Sequence, residues 1–150
     1  MAVKTMVRLS AKTDYALRAM LDLAMHPDVR TTFPAIAERQ SIPRKFLPTV
    51  LQSLIQVGFV RTIRGYGGGI ELACSPAEIT IRQIVESVEG RQQLYDCDSR
   101  NIACLNKANC LLRDVLDRAG NAMLGVLEST TLADLVPETA AEAELIASSN

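Results

Sequence analysis

The chain of 150 residues contains no tryptophan, a single histidine and only 4% aromatic residues. No apolar run approaches the roughly 18 residues that a membrane helix needs. The first residues, MAVKTMVRLSAK, lack the apolar stretch of a signal peptide. We therefore expect a cytoplasmic protein without a membrane partner.

The lone histidine also limits the catalytic chemistry that the chain can perform. A Ser/His/Asp arrangement needs a histidine as its base, and His26 lies beside Pro27 at the predicted end of a helix. There, an interaction with the helix C-terminus is the simpler role. We expect no enzymatic site and no small-molecule substrate.

Apolar residues make up 48% of the sequence, which is enough for a hydrophobic core in one domain plus an appended element. With so few aromatic residues, that core must consist of Leu, Ile, Val, Ala and Met, which favours a mostly α-helical fold. Four cysteines are present. In a reducing compartment, clustered cysteines indicate metal binding or redox chemistry before they indicate disulfides.

The net charge of -1 conceals an uneven distribution of charge along the chain. Residues 1–66 carry ten Lys/Arg and four Asp/Glu (+6), whereas residues 67–150 carry six and thirteen (-7). A basic first half with an acidic remainder is typical of a protein in which one face binds a polyanion. Chance clustering of charges on solvated faces is the alternative.

The order of predicted elements is that of a winged helix-turn-helix. Ser10 caps a helix that ends near His26, Thr32 and Pro34 open a short helix, and Ser41 caps a third over about 43–57, bent by Pro48. Strands at 59–64 and 70–74 flank a glycine-rich turn and form a β-hairpin. A capping box at Thr80 and Gln83 opens a helix that stops at Gly90.

This order places basic and glycine-rich positions where a winged helix-turn-helix contacts double-stranded DNA. The candidate DNA-contacting residues are Arg39, Arg44, Lys45, Arg61, Arg64, Tyr66, Gly67 and Gly68. A nucleotide-binding loop is a weaker interpretation, since such a loop joins a strand to a helix rather than two strands. A purely structural tight turn is the other alternative.

Three cysteines, Cys97, Cys104 and Cys110, are separated by six and five residues. Structural zinc usually uses C-x-x-C pairs, and none is present. The wider spacing favours an iron–sulfur cluster, with Cys110 at the start of a helix whose dipole favours a thiolate. Three inert or redox-active thiols without metal are the alternative. Cys74, in or after the return strand, is expected to be a buried small hydrophobe.

A long helix is predicted from about 109 to 128, with apolar residues at alternating spacings of four and three. These residues are Leu112, Leu116, Ala119, Met123 and Val126. Such a heptad seam requires a partner helix. We divide the chain into a DNA-binding domain (1–90), a cysteine loop (91–110), a dimerisation helix with a short terminal helix (109–136) and a mobile tail (137–150).

Several segments together resemble one bacterial family. They are VRLSAKTDYALRAMLDLA, IPRKFLPTVLQSLIQVGFVRTIRGYGGGIEL, EITIRQIVESVEG, the cysteine loop and LESTTLADLV. The sequence is similar over about residues 7–136 to the winged-helix regulators that include IscR, NsrR and RirA. The resemblance implies a homodimer that binds inverted-repeat operators and responds to the presence or state of an iron–sulfur cluster.

The resemblance also bears on the fourth ligand, because three cysteines leave a cluster one ligand short. Arg113 stands where the IscR type has its ligating histidine, whereas Asp14 matches an aspartate that the NsrR type donates from the other subunit. The NsrR-like set implies a [4Fe-4S] rather than a [2Fe-2S] cluster. Asp96, Asp98, a small molecule or no cluster remain alternatives.

The expected function is cluster-dependent transcriptional regulation, most simply repression. A metal-free thiol/disulfide switch that controls DNA binding is one alternative. An iron–sulfur electron-transfer or carrier protein with a vestigial DNA-binding fold is another, and it predicts no sequence-specific DNA binding.

Overall fold

A computed structural model of the chain describes residues 9–27, 29–94 and 110–138. The first helix, α1, spans Ala11–Met25. The Ser10 hydroxyl accepts a hydrogen bond from the Thr13 amide at 3.2 Å, which confirms the predicted N-cap. The helix ends at His26, whose Nδ1 lies 2.8 Å from the Asp22 carbonyl oxygen, so this histidine serves the helix C-terminus.

The next two helices form the helix-turn-helix. Helix α2 spans Phe33–Arg39, and the Thr32 hydroxyl caps it as predicted. Helix α3 spans Leu47–Gln56, so it begins four residues later than the predicted start near residue 43. Ser41 is not its cap; it has a φ of +52° in the turn between the helices. Pro48 lies in the first turn, where it removes no helical hydrogen bond, so its position requires no bend.

The hairpin follows at Val60–Ile63 (β1) and Gly69–Leu72 (β2), in antiparallel register from Val60↔Leu72 to Ile63↔Gly69. Both strands are shorter than predicted. Thr31 bridges Ile70, with Ile70 N–H donating to the Thr31 carbonyl at 2.7 Å. A Cβ on Gly69 would lie only 2.6 Å from that oxygen, so the close approach requires glycine.

Two further helices complete the fold. Helix α4 spans Ile81–Glu89, and its capping box of Thr80 and Gln83 is confirmed. Helix α5 spans Leu111–Ser129. After α5 the chain returns to the start of α4, where Leu132 N–H donates to the Ile79 carbonyl at 2.8 Å and the Leu132 side chain is buried.

One hydrophobic cluster joins α1, α2, α3, α4 and the hairpin. Its largest fully buried side chains are Met20, Ile36, Leu47, Leu51, Leu54, Ile70, Ile79, Ile84 and Leu132. The predicted fold class, a mostly α-helical winged helix-turn-helix with a small hairpin and a long C-terminal helix, is confirmed. No helix within the described ranges is long and apolar enough to cross a membrane.

Candidate nucleic-acid interface and cluster site

The turn that precedes α3 presents two cations to solvent. Arg44 and Lys45 are both exposed just before the helix begins. The Lys45 Nζ lies 4.9 Å from the centroid of the Phe46 ring, which is a cation–π distance. The late start of α3 therefore places these cations at its N-terminal end, the end that enters the major groove in helix-turn-helix proteins.

Arg39, by contrast, binds within the protein. Its Nε and Nη2 donate to Asp22 Oδ1 and Oδ2 at 2.9 and 2.6 Å, and Nη2 also donates to the Thr31 hydroxyl at 2.7 Å. The Asp22 side chain is fully buried and Arg39 is 36% exposed. This ion pair fastens α1 to α2 and to Thr31, which bridges Ile70 of the hairpin, so the structure gives Arg39 an internal role beside its predicted role as a DNA contact.

The same contacts determine the protonation of Asp22. Burial alone would raise the pKa of this carboxyl group. Hydrogen bonds from Arg39 and Gln40 and the charge of Arg39 outweigh that effect, and the pKa of Asp22 is lowered. The carboxylate is therefore ionised and paired, which a buried charge requires.

The hairpin presents its tip to solvent. Gly65 and Gly67 have positive φ angles of 99° and 74°, and between them Tyr66 is fully exposed. Arg64 is also exposed, and it has no ion-pair partner in the described part of the chain. A Cβ on Gly68 would lie 2.3 Å from the Ile63 carbonyl oxygen, so Gly68 is required by the turn itself.

Two further arginines hold the hairpin in shape. Arg61 pairs with Glu71 on the opposite strand at 2.6–2.7 Å and remains 64% exposed. Arg30 was not predicted as a site residue; its Nη1 donates to the Gly67 carbonyl at 3.1 Å. The sequence offers no motif around Arg30, because the contact spans 37 positions and depends on the Thr31 bridge.

Of the three clustered cysteines, Cys110 lies within the described residues, whereas Cys97 and Cys104 lie outside them. Cys110 is the N-cap residue of α5, is half-buried and has a free thiol. Within residues 9–27, 29–94 and 110–138, no three His, Cys, Asp or Glu side chains converge to hold a metal ion.

The proposed fourth ligand, Asp14, lies in the first turn of α1 with its side chain 48% exposed. Arg18 donates to both carboxylate oxygens, at 3.2 Å from Nε and 3.0 Å from Nη2. Arg113, at the position where the IscR type has its ligating histidine, has its Nε 3.6 Å from Oδ2 of Asp117, one turn further along α5. Asp14 therefore offers its carboxylate at the surface in an exposed ion pair.

The predicted seam on α5 does not share one environment. Leu112, Ala119 and Val126 are exposed, whereas Leu116 and Met123 are half-buried. The exposed stripe of the helix instead consists of Leu112, Val115, Ala119, Ala122 and Val126, again spaced by three and four. The opposite side of α5 buries Gly120 against Leu94, whose Cβ would lie 3.1 Å from a Cβ at residue 120.

Comparisons with known proteins agree with this architecture. A family model described as "Rrf2: Iron-dependent Transcriptional regulator" matches residues 9–138. The chain is 39% identical over 132 residues to the HTH-type transcriptional regulator NsrR of Bacillus subtilis (strain 168), covering 87% of this chain and 90% of that protein.

Two solved structures share both fold and sequence. T. potens IscR superposes with a TM-score of 0.70 at 29% identity, covering 86% of this chain and 85% of its own. CymR, the global cysteine regulator of B. subtilis, gives a TM-score of 0.75 at 29% identity, covering 89% and 98%. The chain is therefore a transcriptional regulator of the Rrf2 family, similar to NsrR and IscR.

Proposed function

We propose that this protein is a homodimeric, iron–sulfur cluster-sensing regulator, most simply a repressor, that binds an inverted-repeat operator. The observation that carries the proposal is the position of Cys110. It directly follows the segment that contains Cys97 and Cys104, and it caps α5, the helix with the exposed apolar stripe. The cysteines and the expected dimer interface are therefore continuous in the chain.

The donor set suits an anionic iron–sulfur cluster. Cys110 contributes a thiol at the N-terminus of a 19-residue helix, where unpaired amide groups and the helix dipole favour a thiolate. Cys97 and Cys104 supply two more thiolates, and Asp14 of the other subunit supplies a carboxylate. When bound, a [4Fe-4S] cluster, favoured over [2Fe-2S], would supply iron whose presence or oxidation state changes with iron supply, oxidants or nitric oxide.

Asp14 can exchange its partner at little cost. Its ion pair with Arg18 is half exposed on the surface of α1. Exposed pairs at i, i+4 contribute only about 0.3–0.5 kcal/mol. The free energy needed to release this carboxylate from Arg18 is therefore small compared with that gained when it binds iron.

Helix α5 provides the dimer interface in this proposal. Leu112 and Val126 are each 64% exposed and Val115 is 56% exposed. Burial of a large aliphatic side chain contributes about 1.5–3 kcal/mol, and the spacing of the stripe suits a paired helix. Val115→Glu should lower the mass measured by light scattering from that of a dimer towards that of a monomer.

The dimer would place two copies of α3 and two hairpins on one DNA duplex. Half-sites one helical turn apart require a separation of about 34–36 Å between the recognition helices. Arg44, Lys45 and Arg64 are exposed cations of this surface that lie outside the described ion pairs. A cluster-dependent change in the angle between subunits would therefore change operator affinity.

The experiment that tests the proposal is anaerobic purification followed by iron and sulfide analysis, absorption spectroscopy and selection of operators from random duplexes. We expect a cluster in the wild type, loss of the cluster in Cys110→Ala, and an altered or labile cluster in Asp14→Ala. Asp117→Ala is the matched control, since it also removes a half-exposed aspartate from an i, i+4 pair with arginine.

Distinct outcomes address distinct parts of the proposal. Protein without iron, sulfide or visible absorption would exclude cluster sensing. An Asp14→Ala cluster identical to that of the wild type would exclude Asp14 as ligand. Operator affinity that does not change on chelation or oxidation of the cluster would exclude the switch.

The similarity to CymR, described as a global cysteine regulator, favours one second candidate. In that candidate the cysteines themselves form a thiol/disulfide switch without metal. Thiol titration of metal-free protein before and after peroxide treatment distinguishes the two. Loss of two thiols per chain together with a change in operator affinity, in protein that never held iron, would support the thiol switch.

A further inference from the structure

A cleft of about 690 Å³ lies between the first turns of α1 and the start of α3. Its lining is mostly apolar and comprises Ala11, Lys12, Tyr15, Lys45, Phe46, Thr49 and Val50. Two of these seven side chains are cationic and none is acidic. The cleft therefore combines a mostly apolar lining with two cations, which suits an anionic partner that also has apolar surface.

Two aromatic rings line the cleft. The centroids of Tyr15 and Phe46 are 6.0 Å apart with an interplanar angle of 30°. Phe46 is 45% exposed although it packs against Tyr15 and lies beneath the Lys45 ammonium. The contact between helices thus holds an exposed ring and a cation together at one site.

The start of α3 adds a further positive element. Phe46 is the N-cap residue of α3, and its side chain makes no capping hydrogen bond. Pro48 has no amide hydrogen, so the first turn offers the amides of Leu47 and Thr49 to an external acceptor, and the helix dipole favours an anion there. The N-terminus of α3 and the side chains of Lys12 and Lys45 therefore all border the same cleft.

We propose that this cleft seats the sugar–phosphate backbone of the operator DNA. A deoxyribose would pack on the Tyr15 and Phe46 rings, with the adjacent phosphates bound by Lys12 and Lys45. DNA fits better than a small amphipathic anion, because Lys45 and Phe46 also form the N-terminal end of α3 that faces the groove. The inference rests on the proposed function and adds Lys12 as a DNA-contacting residue.

The same turn of α1 serves the proposed cluster site through a different face. Lys12 and Tyr15 are three residues apart and share one side of the helix, which is the side that lines the cleft. Asp14 is offset from that side and pairs with Arg18. One rigid turn would therefore bind DNA on one face and present the proposed cluster ligand on the other.

Salt dependence of DNA binding by the anaerobically purified full chain tests the inference. Each neutralised phosphate contributes about 0.9 to the slope of log K against log salt. Lys12→Gln/Lys45→Gln should therefore reduce the slope by about 1.8 per protomer, or about 3.6 for a dimer. The reduction in slope should be equal on the selected operator and on a random duplex, since phosphate contacts carry no sequence information. Arg118→Gln removes one exposed cation on α5, away from the cleft, and shows how much of the slope one lost charge changes there, with dimer mass verified.

Duplexes with single neutral methylphosphonates identify the phosphates involved. At one or two positions per half-site, neutralisation should weaken wild-type binding but not weaken the lysine double variant further. Lys12→Arg/Lys45→Arg should retain the wild-type slope. If the double variant keeps the wild-type slope, or if neutralisation weakens both proteins equally, the cleft does not seat the backbone. Wild-type protein without operator binding would instead refute the proposed function.

Discussion

Replacement of Arg39 by alanine separates an internal role from a role in DNA binding. Asp22 is fully buried and accepts three side-chain hydrogen bonds, two from Arg39 and one from Gln40 at 3.0 Å. Arg39→Ala leaves this carboxylate with one side-chain donor and no neutralising guanidinium. We therefore expect Arg39→Ala to lower the free energy of unfolding, and not only the affinity for DNA.

The magnitude follows from the burial of the two partners. Breaking a buried ion pair by removing one member costs about 3–5 kcal/mol. Because Arg39 is 36% exposed, water can partly replace it, which reduces the expected loss to about 2–4 kcal/mol. With a urea m-value of about 2 kcal/mol/M, the unfolding midpoint should fall by about 1–2 M.

The assay is urea unfolding of the full chain, followed by circular dichroism, with two companion variants. Arg61→Ala breaks an exposed pair with Glu71 and should cost about 0–1 kcal/mol. Asp22→Asn combined with Arg39→Met should be less destabilising than the two single losses summed, since no uncompensated charge remains. Wild-type stability in Arg39→Ala together with reduced operator affinity would refute the internal role and restore Arg39 as a DNA contact.

Three further predictions address pH, the turn and the hairpin. Burial opposes ionisation, but hydrogen bonding lowers the pKa of Asp22. The ionised Asp22 therefore stabilises the fold above about pH 4, and this stabilisation is lost as the pH falls through the lowered pKa. Urea unfolding midpoints measured from about pH 7 to about pH 3 should decline less steeply in Asp22→Asn than in the wild type. Ser41→Gly should stabilise the fold by about 0.5–1 kcal/mol in urea unfolding, because Ser41 holds a φ of +52° that glycine adopts freely, and an unchanged midpoint would argue against strain. Gly69→Ala should destabilise the fold, because its Cβ would lie 2.6 Å from the Thr31 carbonyl oxygen. Gly125→Ala should instead stabilise α5 by about 0.5–1 kcal/mol, since a Cβ there meets no described atom within 4 Å. Equal effects of the two variants in thermal unfolding would contradict the clash.

Features decided by local hydrogen bonding were predictable from the sequence. The caps at Ser10, Thr32 and Thr80 each depend on a side chain and an amide three residues away, so their signals lie within four residues. The start of α3 was not predictable in this way. Ser41 has a good capping side chain, but the segment between it and Phe46 forms a turn rather than a helix.

Features decided by distant contacts could not be predicted from local sequence. The partner of Arg39 lies 17 positions earlier in the chain, and a basic residue near a recognition helix has the same sequence signature whether or not it is paired internally. Similarly, alternating spacings of three and four on α5 permit two overlapping stripes. Packing of Gly120 against Leu94 selects the inner side, and thereby exposes Val115 rather than Leu116.

The N-terminus of α1 shows how the proposed site is held in place. Glu89, the last residue of α4, accepts hydrogen bonds from the Ser10 amide at 3.1 Å and from the Thr13 hydroxyl. Hydrogen bonding from the Ser10 and Thr13 side chains and from the Ser10 amide lowers the pKa of Glu89. A carboxylate is unfavourable at the C-terminus of its own helix but favourable at the N-terminus of another.

The Glu89 contact connects the end of α4 to the start of α1. The chain passes from Glu89 towards the cysteine segment, whereas Ser10 and Thr13 border the turn that carries Asp14 and Lys12. A displacement of the end of α4 would therefore move the first turn of α1, and with it Lys12 in the proposed DNA-binding cleft. Lys45 at the start of α3 lines the same cleft as Lys12, so we expect the Glu89 contact to couple the end of α4 to the proposed DNA-binding cleft.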